Sequence, residues 1–132
     1  MSLVERYSIH VGSPDQFAGT LSGGNAQRVV LARVLTGELR CLIAAQPTRG
    51  LDVGAIEFVW EQLAAAREAD TAIVLISTEL DEVMSVADRC YVLYRGRLVA
   101  EWDSDGLDRE RVGLAMGGAD VTAAGASTTV EA

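Results

Sequence analysis

The chain has 132 residues, is 49% hydrophobic and carries a formal net charge of −8, enough length and apolar content for one modest domain with a real core. That acidity argues against a nucleic-acid binder, whose footprint is a basic patch, and no apolar run approaches the roughly 20 residues that span a bilayer. The start, Met1 to Arg6, lacks the apolar centre of a signal peptide.

Residues 1 to 20 read as a short helix or the tail of one, followed by a loop through Gly12, Ser13 and Pro14. His10 is the only histidine and has no cysteine or carboxylate partners at ligand spacing, so it reads as a surface residue. Ser22 is a good N-cap for a helix over 22–36, with Val29, Val30, Leu31, Val34 and Leu35 as its apolar face and Gly37 placed to end it. Gly23 and Gly24 stand in its first turn, where glycine costs about 1 kcal/mol against alanine inside a helix. Two readings follow. Either something approaches the backbone closely, and free N–H groups at the positive end of the helix dipole suit a phosphate, or this is an ordinary capped helix after a glycine turn.

Cys41 to Ala45 is a continuous apolar run, expected as a strand buried on both faces of a parallel sheet. Pro47 and Gly50 punctuate the next loop, and Asp52 caps a helix over 53–68 with Ile56, Val59, Trp60 and Leu63 on one face. Asp70 and Thr71 turn the chain into a second buried strand, 72–76, completing a βαβ unit. Ser77 or Thr78 caps a helix to Val86, and Arg95-Gly96 joins two hairpin strands, 90–94 and 97–102. A short helix over 107–115 follows. From Gly117 the chain is mostly Gly, Ala, Ser and Thr and is expected to be a disordered tail over 117–132. Cys41 and Cys90 begin apolar runs and read as small buried residues rather than a disulfide or metal pair.

Leu21-Ser22-Gly23-Gly24-Asn25, followed by Gln27-Arg28-Val29-Val30-Leu31-Ala32-Arg33, resembles the signature motif of ABC-type ATPases. Gln46-Pro47-Thr48-Arg49-Gly50-Leu51-Asp52 resembles the end of that family's Walker B strand and its D-loop. The resemblance covers residues 15 to 101. It implies an α/β fold: part of a P-loop NTPase, with parallel strands, crossover helices and a C-terminal β-hairpin. All 11 basic residues are arginine, so the phosphate-binding loop, which needs a lysine, is not in this chain. The expectation is that residues 1–116 are the C-terminal portion of an ABC nucleotide-binding domain, cut from a longer protein.

In that family ATP lies between the P-loop of one domain and the signature of another. By resemblance, Ser22, Gly23, Gly24 and Asn25 contact the γ-phosphate in trans, and Asp52 at the D-loop couples the two sites. Three positions depart from the pattern. Ala45 replaces the Walker B aspartate that helps hold Mg²⁺, so no metal ligand is expected there. Gln46 replaces the catalytic glutamate and is a poor general base. Thr78 replaces the switch histidine.

Thr48 to Ala55 looks especially like the tandem ATPase subunits of sugar and nucleoside importers, whose second domain is often degenerate. The expected partners are a second ABC ATPase domain, in the same polypeptide, and membrane permease subunits, at the cytoplasmic face of the cell membrane. No nucleic-acid partner is expected. ATP and Mg²⁺ serve the parent assembly, with none bound tightly by this chain, which alone should not hydrolyse ATP. The alternatives are a non-catalytic scaffold or regulatory ABC-like domain and an ABC-type ATPase of DNA repair or translation.

Overall fold

A computed structural model describes residues 2–13 and 15–121. The chain divides into two compact units, Met1–Ile76 and Ser77–Ala132.

The first unit runs α1 (Leu3–Arg6), a 3₁₀ turn (Ala18–Thr20), α2 (Gly23–Val34), β1 (Cys41–Ala45), α3 (Val53–Glu68) and β2 (Ala72–Ile76). Strands β1 and β2 pair in parallel, from Cys41 opposite Ala72 to Ala45 opposite Ile76, with α3 as the connection between them. The expected helix and both strands therefore form with the expected pairing. One face of the sheet is covered: Leu42 is buried with Leu31, Ala32, Phe58, Val59 and Leu63, and Ala44 and Ile73 pack against that cluster. Tyr7 and Ile9, from the segment after α1, join the same core.

The other face corrects the expectation of strands buried on both sides. Ile43 is 67% exposed, and Val74 and Ile76 are about half exposed. The sheet has only two strands among the described residues, and alternate side chains on each point away from the helices. Cys41 shares this outward face and is exposed, contrary to its expected burial. On α2, Leu31 and Ala32 are buried while Val30 is half exposed, so the covered stripe is narrower than the apolar letters suggest. The helix ends earlier than expected, with Leu35 at the C-cap; Gly37, at φ +141°, lies in the turn beyond it.

The second unit runs α4 (Leu80–Val86), β3 (Arg89–Tyr94), β4 (Arg97–Asp103), a 3₁₀ turn (Ser104–Gly106) and α5 (Arg109–Met116). The hairpin forms as expected. Arg95 and Gly96 both take positive φ, 47° and 78°, as a two-residue turn matched to the strand twist requires. Val92 pairs with Ala100 and Leu93 with Leu98, so Val99 bulges. Cys90, Val92, Ala100 and Trp102 face Val112 and Ala115 of α5 in a second core. Glu79, not Ser77 or Thr78, occupies the N-cap of α4. The Ser77 hydroxyl lies two residues ahead of that N-cap, accepting from the Glu79 N–H at 2.9 Å and donating to Glu82 Oε2 at 2.6 Å.

The stretch expected as tail carries, in its first residues, backbone bonds from Gly117, Gly118 and Ala119 to α5 carbonyls, and Val121 is buried in the second core. Residues 122–132 of that expected tail lie outside the described residues.

Candidate functional site

The N-terminal turns of α2 and α3 meet, and the reason is local. Ser22 takes an extended conformation (φ −61°, ψ 156°) and its Oγ accepts from the Asn25 N–H at 3.4 Å. Asp52 does the same for α3, its Oδ1 accepting from the Ala55 N–H at 2.9 Å. A Cβ on Gly24 would stand 3.1 Å from the Ala55 Cβ, closer than side chains normally pack. On Gly23 a Cβ would meet only the Leu51 side chain at 3.9 Å, an ordinary contact. The two glycines thus differ. Gly24 lets one helix end seat against the other; Gly23 is exposed and faces outward.

Around this junction lies an open cleft of about 230 Å³, lined by His10, Ser22, Gly24, Asn25, Arg28, Asp52, Gly54 and Ala55. The first-turn N–H groups of α2 have no acceptor within the helix, as at any helix start, and the end of the dipole there is positive. The Ser22 Oγ accepts from the backbone and keeps its own O–H to donate. Asp52 is the carboxylate among the lining residues. The arrangement can hold one anionic group against backbone N–H donors and a hydroxyl.

The loop from β1 to α3 is pinned to α2 by Gln27, whose Nε2 donates to the Pro47 carbonyl at 3.0 Å. Thr48 is buried within that loop. Gln46 takes a left-handed conformation, φ 48°, while its N–H donates to the Ile76 carbonyl at 2.7 Å and prolongs the parallel ladder by one bond. Ala45 ends β1 without a side-chain oxygen, and Gln46 offers only a neutral amide, so these two residues do not fit a Mg²⁺ ion. Among the described residues no group of three or more His, Cys, Asp or Glu could hold a metal.

Of the residues singled out in the sequence, the structure brings Ser22, Gly24, Asn25 and Asp52 to one cleft, with Gly23 on the same turn. Ala45 and Gln46 lie at the end of β1 in the same unit. Thr78 is an exposed residue of the other unit, just before α4. Sequence reading missed His10 and Arg28 as lining residues. Arg28 Nη1 donates to the Tyr7 carbonyl at 3.2 Å and its guanidinium stacks on the Phe58 ring, 3.8 Å from the centroid. Those partners lie 21 and 30 positions away, beyond any local pattern.

This fold is that of ATP-binding cassettes of ABC transporters. One such solved cassette matches with a TM-score of 0.66 at 22% identity, over 87% of this chain and 44% of that one. Another, a dimer in a post-hydrolysis state bound to ADP and phosphate, matches with a TM-score of 0.67 at 24% identity, over 80% of this chain and 45% of that one.

Sequence relatives narrow the class. The chain is 49% identical over 110 residues to a glucose import ATP-binding protein of Haloferax volcanii, covering 83% of this chain and 20% of that protein. It is 42% identical over 126 residues to a guanosine import ATP-binding protein of Bacillus subtilis, covering 94% and 24%. A ribose import ATP-binding protein of Geobacillus kaustophilus matches at 38% over 112 residues, covering 85% and 23%. No family model matches the chain. The chain is a homologue of the ATP-binding proteins of ABC importers of the sugar and nucleoside type, and it spans a fifth to a quarter of the length of these relatives.

Proposed function

We propose that this chain supplies the signature turn of an ABC importer for a sugar or nucleoside, completing in trans an ATP site whose P-loop belongs to a partner cassette. Ser22, Gly23, Gly24 and Asn25 form the nucleotide-facing turn. The observation that carries this reading is the cleft at the joined helix ends, where the Ser22 hydroxyl keeps a proton to donate and the Gly23 and Gly24 N–H groups have no acceptor within the helix. The Ser22 hydroxyl and the first-turn N–H groups donate to the γ-phosphate, and the dipole of α2 stabilises its charge. Asp52, held by its own cap bond, is the D-loop residue that couples this site to its counterpart.

The chain's own strand end belongs to a second, hydrolytically weakened site. Ala45 removes a metal-holding oxygen, and Gln46 orients water without accepting its proton. In the sequence, Thr78 stands at the switch-histidine position and has a hydroxyl where the family has an imidazole. These departures, with the similarity to import ATP-binding proteins, support reading the chain as part of the second of two tandem cassettes that work with permease subunits. The location is peripheral, at the cytoplasmic face. Among the described residues no helix is long and apolar enough to cross a membrane.

The test is ATP turnover by an importer ATP-binding subunit that carries this sequence, wild type beside Ser22→Arg. A collapse of turnover with ATP binding retained supports the trans role. Unchanged turnover sinks it and leaves a scaffold that binds a partner ATPase without completing its site.

A further inference from the structure

Asn25 stands in the motif where a nucleotide contact is expected, yet both ends of its amide are engaged. Its Oδ1 accepts from the His10 N–H at 3.0 Å, and its Nδ2 donates to the His10 carbonyl at 3.1 Å. This two-point clamp closes over 15 positions of sequence. It is buttressed on both sides. Arg28, one turn further along α2, donates to the Tyr7 carbonyl, and Tyr7 and Ile9 are buried beneath the segment. His10 is thereby fixed between core residues, and it lines the same cleft as Ser22 and Gly24.

The charges in that cleft give the clamp a purpose. Asp52 places a carboxylate on the lining, which repels an anion. Arg28 is the guanidinium there, and it is engaged with the Tyr7 carbonyl and the Phe58 ring. The His10 imidazole makes no hydrogen bond to any described residue, and it is exposed. Beside the Ser22 hydroxyl, it is the lining side chain with an N–H available to donate to a phosphate oxygen.

We infer that His10 is a further nucleotide-contacting residue of the signature turn and that Asn25 is its positioning residue, clamping the His10 backbone so that the imidazole borders the Ser22–Gly24 face and donates to a phosphate oxygen. This rests on the reading of that turn as a contact to nucleotide in trans.

The experiment uses the same importer subunit, with its membrane partners, and compares kcat/KM for ATP in five forms: wild type, Ser22→Arg, His10→Ala, Asn25→Ala and the double variant His10→Ala/Asn25→Ala. His10→Ala changes an exposed side chain and leaves the core untouched. The expected result is a loss of about ten-fold for either single variant, the size of one hydrogen bond to a charged group. Because Asn25 acts through His10, the double variant loses about ten-fold as well, not the roughly hundred-fold that independent effects would give.

If Ser22→Arg abolishes turnover while His10→Ala leaves kcat/KM unchanged, the role of His10 is overturned and the trans reading stands. If the single losses multiply in the double variant, the positioning role of Asn25 is overturned. If Ser22→Arg itself changes nothing, the trans reading falls and this inference falls with it.

Discussion

Gly23 and Gly24 are adjacent in one helical turn, but a methyl group added to each meets different surroundings. At Gly24 it lies 3.1 Å from the Ala55 Cβ, and Ala55 is buried at the start of α3, so neither helix end yields without loosening the other. Gly24→Ala is expected to destabilise the first unit by about 1 kcal/mol or more despite alanine's better helix propensity. At Gly23 the nearest atom is 3.9 Å away, and the same substitution is expected to leave the fold as stable or to raise it by up to about 1 kcal/mol. Urea unfolding of both variants checks the contrast, and equal shifts for the two would contradict the packing argument. At Asp52 two variants separate the observed cap from the proposed coupling role. Asp52→Ala removes the acceptor for the Ala55 N–H and should cost about 1 kcal/mol, whereas Asp52→Asn keeps a capping oxygen and should recover most of that loss. Turnover that stays low in a stable Asp52→Asn protein then reports the carboxylate's part in coupling, not the cap. Cys90 carries a pH dependence. Burial raises its thiol above the ordinary value of 9.0, so on alkaline titration the unfolded chain loses its proton first. Stability from this group is complete below the ordinary thiol value and declines as pH rises through it. Cys90→Ala should flatten that alkaline decline in unfolding curves measured from pH 8 upward.

At the scale of elements, the helices, strands and hairpin were legible because each carries its own local signal. Asp52 capping α3, the apolar runs of β1 and β2 and the Arg95-Gly96 turn all act over a few residues. What sequence did not disclose was which face of each element is covered, since that depends on neighbours distant in the chain. Ile43 and Leu42 are alike as letters, but only Leu42 meets α3 and α2. The site divides along the same line. Ser22, Gly24 and Asp52 were found from motif and capping patterns, while the engagement of Asn25 by His10 needs contacts that no local pattern records. The α4 start was misplaced for a related reason: Ser77 bonds to the backbone as a cap does, but ahead of the helix. The hairpin turn yields a prediction of its own. Arg95 holds φ 47° with a side chain that disfavours it, and asparagine adopts this region more readily. Arg95→Asn is expected to stabilise the second unit by a few tenths to about 1 kcal/mol, net of the contact its guanidinium makes with the Tyr94 ring. Gly96→Ala, at φ 78°, should cost about 1 kcal/mol or more. Thermal unfolding of the two variants, moving in opposite directions, is the check.

For the whole molecule, the decisive feature is the uncovered side of the β1–β2 sheet. Ile43, Val74 and Ile76 are contiguous there, because Ile43 pairs with Val74 and Ile76 follows two residues on, on the same face. Among the described residues each of the two strands also keeps one unpaired edge. An apolar face beside open backbone donors and acceptors is a template for pairing, and a two-stranded sheet is marginal without further cover. The net charge of −8 opposes association at long range, but salt screens it over about 10 Å at 0.1 M. The chain studied alone is therefore expected to self-associate in a concentration-dependent manner, more strongly as ionic strength rises. Replacing Ile43 by lysine places a charge at the centre of the face without touching the Leu42 core, and should shift sedimentation toward the monomer. A monodisperse monomer for wild type at high protein concentration and 0.5 M salt would show that the face is stable in water. Association that persists undiminished in Ile43→Lys would place the contact elsewhere on the surface, since a buried lysine at that centre would have no partner for its charge.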